Sequence, residues 1–195
     1  MKRWYWSAKN RNNFTMNIIE TEFEGLLILE PKIFGDKRGY FVETWNRERY
    51  RQAGIPFAFV QDNLSLSQQG TLRGLHYQIP PQGKLITVLE GCVQDVVVDL
   101  RRNKSTFGKW FSLEMDGENK RQLFVPPGFA HGFAVLSPSA LFHYKCTELY
   151  QPKGEVTLLW NDPDIGAEWK VDSPLLSEKD KAGLRFKMLP SEKLF

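Results

Sequence analysis

The chain has 195 residues, 42% of them hydrophobic and 25% charged, which suits one globular domain and excludes a disordered or fibrous chain. Its formal charge of +3 comes from residues 1–15, where Lys2, Arg3, Lys9 and Arg11 stand without an acid; subtracting these four leaves −1 on the remainder. A near-neutral body removes the electrostatic basis for nucleic-acid binding, and no apolar run reaches the roughly 20 residues of a membrane-spanning helix.

Residues 1–15 show neither helix nor strand periodicity and no signal-peptide core, so they read as a disordered or non-native tail before a single domain over 16–195. Residues 26–29 form a short apolar run. A Gly35-Asp36 turn leads into a strand over 40–45. Asn46 is a good N-cap for a helix ending near Ala53, with Gly54 just beyond. Residues 57–61 lead into an alternating stretch at 63–67. Further strands are expected over 72–78, 85–89, 93–100, 110–115, 122–125, 132–136, 140–150 and 156–160. Glu90-Gly91, Asp116-Gly117, Pro126-Pro127-Gly128 and Asp162-Pro163 supply the turns between them. Ser177 to Asp180 reads as a second helix start. Many short strands at this spacing point to an all-β fold, a cupin-like jelly-roll sandwich with a few short helices.

The chemistry concentrates in Arg73-Gly74-Leu75-His76-Tyr77-Gln78, followed by Lys84. An isolated strand histidine is ordinarily a core residue with one hydrogen bond. Arg73 and Lys84 weigh against that here, because clustered cations need an anionic partner. Strict alternation puts Arg73 and His76 on opposite faces, so both reach one ligand only if the strand is irregular, and Gly74 is the expected place. His131 follows a Pro-Gly turn; His143 points away from Tyr144 and reads as surface. Tyr144 and Tyr150, an even number of residues apart in the expected strand, fall on one face. Asp180 either supports the helix start or orients a histidine, with Asp95 and Asp99 as rivals for the second role. Arg38, Arg73 and Lys179 are the candidate phosphate cations. No close ligand pair of the zinc type occurs, and a lysine near His76 repels a dication, so no metal is expected. Cys92 and Cys146, without a secretory signal, read as reduced thiols in a cytoplasmic protein.

Taken in order, the segments 34–43, 59–63, 72–78, 83–85, 95–101, 127–133, 144–150 and 159–162 resemble the dTDP-4-dehydrorhamnose 3,5-epimerase family. The resemblance implies a cupin-like homodimer, with some site residues crossing from the partner and no cofactor. The implied substrate is dTDP-4-dehydro-6-deoxy-D-glucose, epimerised at C3 and C5. By the family pattern His76 is the base, Tyr144 the proton donor, Asp180 the partner of His76 and Lys84 the group at the enolate oxygen. Arg38, Arg73 and Lys179 are implied at the diphosphate or sugar. Glu43, Gln61 and Asn63 are implied at the nucleotide or sugar, Tyr150 under thymine, and His131 and Glu155 at the ligand. Residues 79–82 are about two residues shorter than the family's usual segment, a change that keeps strand parity; Lys170 stands where proline is usual. A single-carbon epimerase, a ketoisomerase and a non-catalytic sugar-nucleotide-binding or metal-binding cupin are the alternatives. Having both His76 and Tyr144 favours catalysis, since binding alone needs no acid–base pair.

Overall fold

The computed structural model describes residues 16–195, so the tail expected over 1–15 lies outside the described residues. The strands run in chain order as β1 (Met16–Glu20), β2 (Leu27–Pro31), β3 (Ile33–Asp36), β4 (Gly39–Val42), β5 (Gln61–Gln68), β6 (Leu72–Gln78) and β7 (Lys84–Glu90). They continue as β8 (Cys92–Asp99), β9 (Trp110–Asp116), β10 (Gln122–Val125), β11 (Phe129–Val135), β12 (Ser139–Cys146) and β13 (Glu155–Thr157). A six-stranded sheet in the order β1-β2-β10-β7-β12-β5 faces a five-stranded sheet in the order β13-β6-β11-β8-β9, and β3 and β4 form a separate hairpin. This is the expected jelly-roll sandwich.

Sequence pattern explains which faces are covered. Strand β8 reads CVQDVVVD and is buried on both sides almost throughout, as a β-branched run should be. Between the sheets, Ile86, Val88 and Phe142 of one wall meet Val93, Val97 and Phe133 of the other. The rings of Phe133 and Phe142 stack at 4.0 Å and 11°. The outer face of the six-stranded sheet is covered by α1 (Arg47–Gln52), whose Tyr50 packs with Leu29, Leu85 and Phe124. Asn46 caps that helix by accepting the Arg49 N–H. The outer face of the five-stranded sheet, with Leu75, Tyr77 and Val98, lies under Phe186, Leu189 and Phe195 of the C-terminal segment.

Strand β5 inverts the usual rule. Its Gln61, Asn63 and Ser65 side chains face inward, while Leu64 and Leu66 are 61% and 69% exposed. The β3–β4 hairpin is likewise open, with Tyr40 and Phe41 exposed.

Strand β6 carries the expected irregularity. His76 pairs with His131 of β11, and Arg73 pairs with Phe133, so three residues of β6 span two of β11. The extra residue is a bulge at Gly74, which brings Arg73 and His76 onto one face. Gly74 has φ +133, and a Cβ there would stand 2.5 Å from Gly132 Cα.

Some expectations are corrected. The strand expected over 140–150 stops at Cys146, where its neighbours β7 and β5 begin at the paired residues Lys84 and Gln61; beyond it, one further rung joins Thr147 N–H to the Gly83 carbonyl. Tyr150 is therefore outside the strand. The last strand is limited to Glu155–Thr157, and β1 and β3 are strands that the sequence pattern did not announce.

Candidate active site

The two walls of the sandwich bring different chemistry to one cleft. In the six-stranded sheet Tyr144 pairs with Asn63 and Ile86, and Cys146 with Gln61 and Lys84, so Gln61, Asn63, Lys84 and Tyr144 share the inner face. In the five-stranded sheet His76 and His131 are direct cross-strand partners, and the Gly74 bulge adds Arg73 beside them. The cleft has two lobes, of about 280 and 470 Å³. His76, Lys84, Tyr144 and Glu155 line both.

Behind His76 stands Asp180. His76 Nε2 lies 2.5 Å from Asp180 Oδ1, with the acid 4% exposed. Helix α2 (Glu178–Lys181) places it: Ser177 caps the helix by accepting the Asp180 N–H and donates its own hydroxyl to Asp180 Oδ2 at 2.6 Å. Burial pushes the Asp180 carboxyl up, but the hydrogen bonds from His76 and Ser177 outweigh it and hold the group below the usual range. The rivals are engaged elsewhere. Asp95 lies 2.8 Å from His131 Nε2, and Asp99 binds Arg101 and Thr106.

Lys84 reaches the cleft despite the short segment before it. Its Nζ lies 5.8 Å from the Tyr144 ring centroid. Burial pulls its ammonium down, against the opposing pull of Cys146, Asp95 and Glu155. Burial also pushes the Tyr144 phenol up, so it holds its proton at neutral pH. Burial lowers His131, over the opposing effect of Asp95. An imidazole backed by a carboxylate, a protonated phenol on the opposite wall and an ammonium beside the phenol can remove a proton, hold the resulting negative charge and return a proton from the other side.

The rim is polar and connected. Glu155 accepts from Tyr150 Oη at 2.9 Å and from Lys179 Nζ at 2.8 Å. Gln61 accepts the Tyr150 N–H and donates to Asn63. Arg73 Nε donates to Ser67 Oγ at 3.0 Å. Arg38 and Glu43 are not brought to the cleft of the single chain: Arg38 pairs with Asp36 at the hairpin tip, and Glu43 with Arg49 of α1. Ser177, the anchor of Asp180, is a member of the site that sequence reading gave only as a helix start; its spacing to Asp180 was the available signal. Lys170, at the position where proline is usual, donates its N–H to Gln94 at 2.7 Å, a bond proline could not make. Among the described residues no group of three or more His, Cys, Asp and Glu is placed to hold a metal ion.

Comparison with known proteins places the chain in a family. A family model described as dTDP-4-dehydrorhamnose 3,5-epimerase matches residues 20–188. A Shigella flexneri dTDP-4-dehydrorhamnose 3,5-epimerase is 51% identical over 174 residues, covering 88% of this chain and 96% of its own. The crystal structure of a Legionella pneumophila dTDP-6-deoxy-D-glucose-3,5-epimerase in complex with dTDP-4-keto-L-rhamnose superposes with a TM-score of 0.89 at 49% identity. That superposition covers 92% of this chain and 97% of that one. A 3'-monoepimerase from Streptomyces bikiniensis, in complex with dTDP-quinovose, gives 0.80 at 36% identity, covering 85% of each chain.

Proposed function

The chain belongs to the dTDP-4-dehydrorhamnose 3,5-epimerase family, and on that premise we propose that it converts dTDP-4-dehydro-6-deoxy-D-glucose to dTDP-4-dehydro-L-rhamnose by inverting C3 and C5. One observation carries this reading: the His76 imidazole and the Tyr144 phenol come from opposite walls and line the same two lobes.

The C4 ketone acidifies the hydrogens on its two neighbours. His76, with Nε2 engaged by Asp180, uses Nδ1 to take a carbon-bound proton. The C–H electron pair becomes the C=C bond of an enolate, and the carbonyl pair moves to the oxygen, where Lys84 balances its charge. Tyr144 then gives its proton to the carbon from the far face. The tyrosinate regains a proton from solvent and the imidazolium releases one, so no redox cofactor or metal is consumed.

Arg73 and Lys179 hold the diphosphate or sugar, and His131 and Glu155 contact the sugar. Gln61 and Asn63 meet the nucleotide, and Tyr150 stacks on thymine. Arg38 and Glu43 act in a homodimer, each supplied to the neighbouring cleft by the partner copy. The exposed apolar hairpin that carries Arg38, and the outward Leu64 and Leu66 of edge strand β5, support that assembly. The protein works in the cytoplasm, which suits its two free cysteines; among the described residues no helix is long and apolar enough to cross a membrane.

The test is proton NMR of the keto-sugar incubated with enzyme in D₂O. Deuterium is expected at both C3 and C5, and His76→Asn is expected to stop formation of the doubly inverted product. Turnover by that variant would remove His76 from its role. Exchange at one carbon alone would select the second reading, a single-carbon epimerase, which the likeness to a 3'-monoepimerase favours.

A further inference from the structure

The cleft contains a second histidine–carboxylate pair that the epimerase mechanism above does not use. His131 and His76 are direct partners across β6 and β11, and both turn Nε2 to a buried carboxylate, Asp95 and Asp180 respectively. In both pairs Nδ1 is the nitrogen left for a ligand. Asp95 sits on the inner face of β8, level with Phe133 of β11 and Leu113 of β9, and is 0% exposed. Its Oδ2 meets His131, whereas Oδ1 has no hydrogen-bond partner among the described residues. A carboxylate buried with half its capacity unused does not recommend itself as a stabilising device, since an apolar residue of similar size would pack there at less cost.

A carboxylate only accepts hydrogen bonds, so Asp95 requires His131 to carry its proton on Nε2 and to present a bare Nδ1. The Phe142 ring lies nearly parallel to the imidazole, 6.1 Å away, and burial favours the neutral form. At His131 itself the wall next to His76 therefore offers an acceptor. The two carbons flanking the ketone differ in what they can give such an acceptor. C3 carries a hydroxyl, which donates. C5 carries a methyl group and the ring oxygen, neither of which donates.

We propose that Asp95 is a positioning residue that fixes His131 as a hydrogen-bond acceptor for the C3 hydroxyl, so that this pair governs epimerisation at C3 and not at C5. The proposal rests on the epimerase reading and adds to it a residue that decides between the two carbons. The proton transfers themselves remain with His76 and Tyr144.

Two measurements test it. The chain has only three histidines, so long-range ¹H–¹⁵N spectra of the labelled protein resolve each ring. The His131 ring is expected as the Nε2–H tautomer, and a Nδ1–H ring would overturn the proposal without any variant. Deuterium wash-in is then followed separately at C3 and C5. Asp95→Asn keeps the volume but can donate to the ring and free its tautomer. It is expected to slow exchange at C3 by about tenfold or more while C5 stays within about threefold, the scale of one lost hydrogen bond. If Asp95→Asn does not fold, His131→Leu, which cannot accept, is read by the ratio of the two exchanges: C3 is expected to slow about tenfold more than C5, and an unchanged ratio would overturn the assignment. Equal slowing at both carbons, or no slowing at C3, would overturn the assignment. Failure of the unmodified enzyme to exchange at either carbon would instead count against the epimerase reading itself.

Discussion

Replacing Gly74 by alanine tests whether the bulge in β6 is what assembles the cleft. An added Cβ would stand 2.5 Å from Gly132 Cα, 2.9 Å from the His131 carbonyl oxygen and 3.3 Å from Gly132 N, all backbone atoms that cannot swing aside. The residue also sits at φ +133, where an L side chain is strained. Backbone strain of about 1–3 kcal/mol and overpacking of about 1–3 kcal/mol combine to roughly 3–5 kcal/mol. For a domain of this size each kcal/mol moves Tm by about 2–4 °C, so the variant is expected to melt about 6–20 °C lower. Relief by slipping β6 one residue against β11 would turn His76 to the opposite face, so residual folded protein is expected to lack turnover. Calorimetry with the D₂O exchange assay measures both effects. Gly166→Ala is the control: it has φ +66 with nothing among the described residues within 4 Å of the added carbon. It should cost only the left-handed term, about 1–2 kcal/mol. A Gly74→Ala protein that melts within about 2 °C of the parent and turns over normally would refute the reasoning.

Lys84→Met removes a partly desolvated charge while keeping length. It is expected to lower kcat by about 10²–10³, the scale of losing one oxyanion donor, with Tm unchanged or raised. A kcat within threefold of the parent would exclude Lys84 from charge stabilisation. Asp99 and Asp180 both have folded-state pKa values below their ordinary ones, because hydrogen bonds from Arg101 and Thr106, and from His76 and Ser177, outweigh burial. Their contribution is present above the unfolded pKa of about 3.9 and is lost as pH falls below it. Melting scans from pH 7 to 2 should therefore show a steep acid fall, shallower in Asp99→Asn, which begins from a lower Tm at pH 7; an unchanged acid slope would contradict this.

The strands that could be read directly were those whose pattern reports burial. Residues 72–78 and 122–125 form strands with the bounds expected of them, and the conflict between Arg73 and His76 points to Gly74 from spacing alone. What stayed hidden depends on residues far apart in the chain. Nothing local tells that Asp180, 104 positions from His76, is its partner while Asp95 belongs to His131. The run to Tyr150 was overextended because a strand ends where its neighbours end, and those neighbours are β7 and β5. Strand β3 was missed because its Gly35 and Asp36 look like turn residues, although they pair with Tyr40 and Gly39.

The stacked Phe133 and Phe142 rings occupy the seam from which the cleft opens, one ring on each wall. Since the imidazole and the phenol ride on different sheets, these rings act as the spacer of a caliper whose jaws are the two reacting groups. Any redesign meant to admit a bulkier or slimmer sugar should begin by changing that spacer, because trimming residues at the mouth leaves the gap between the jaws as it was.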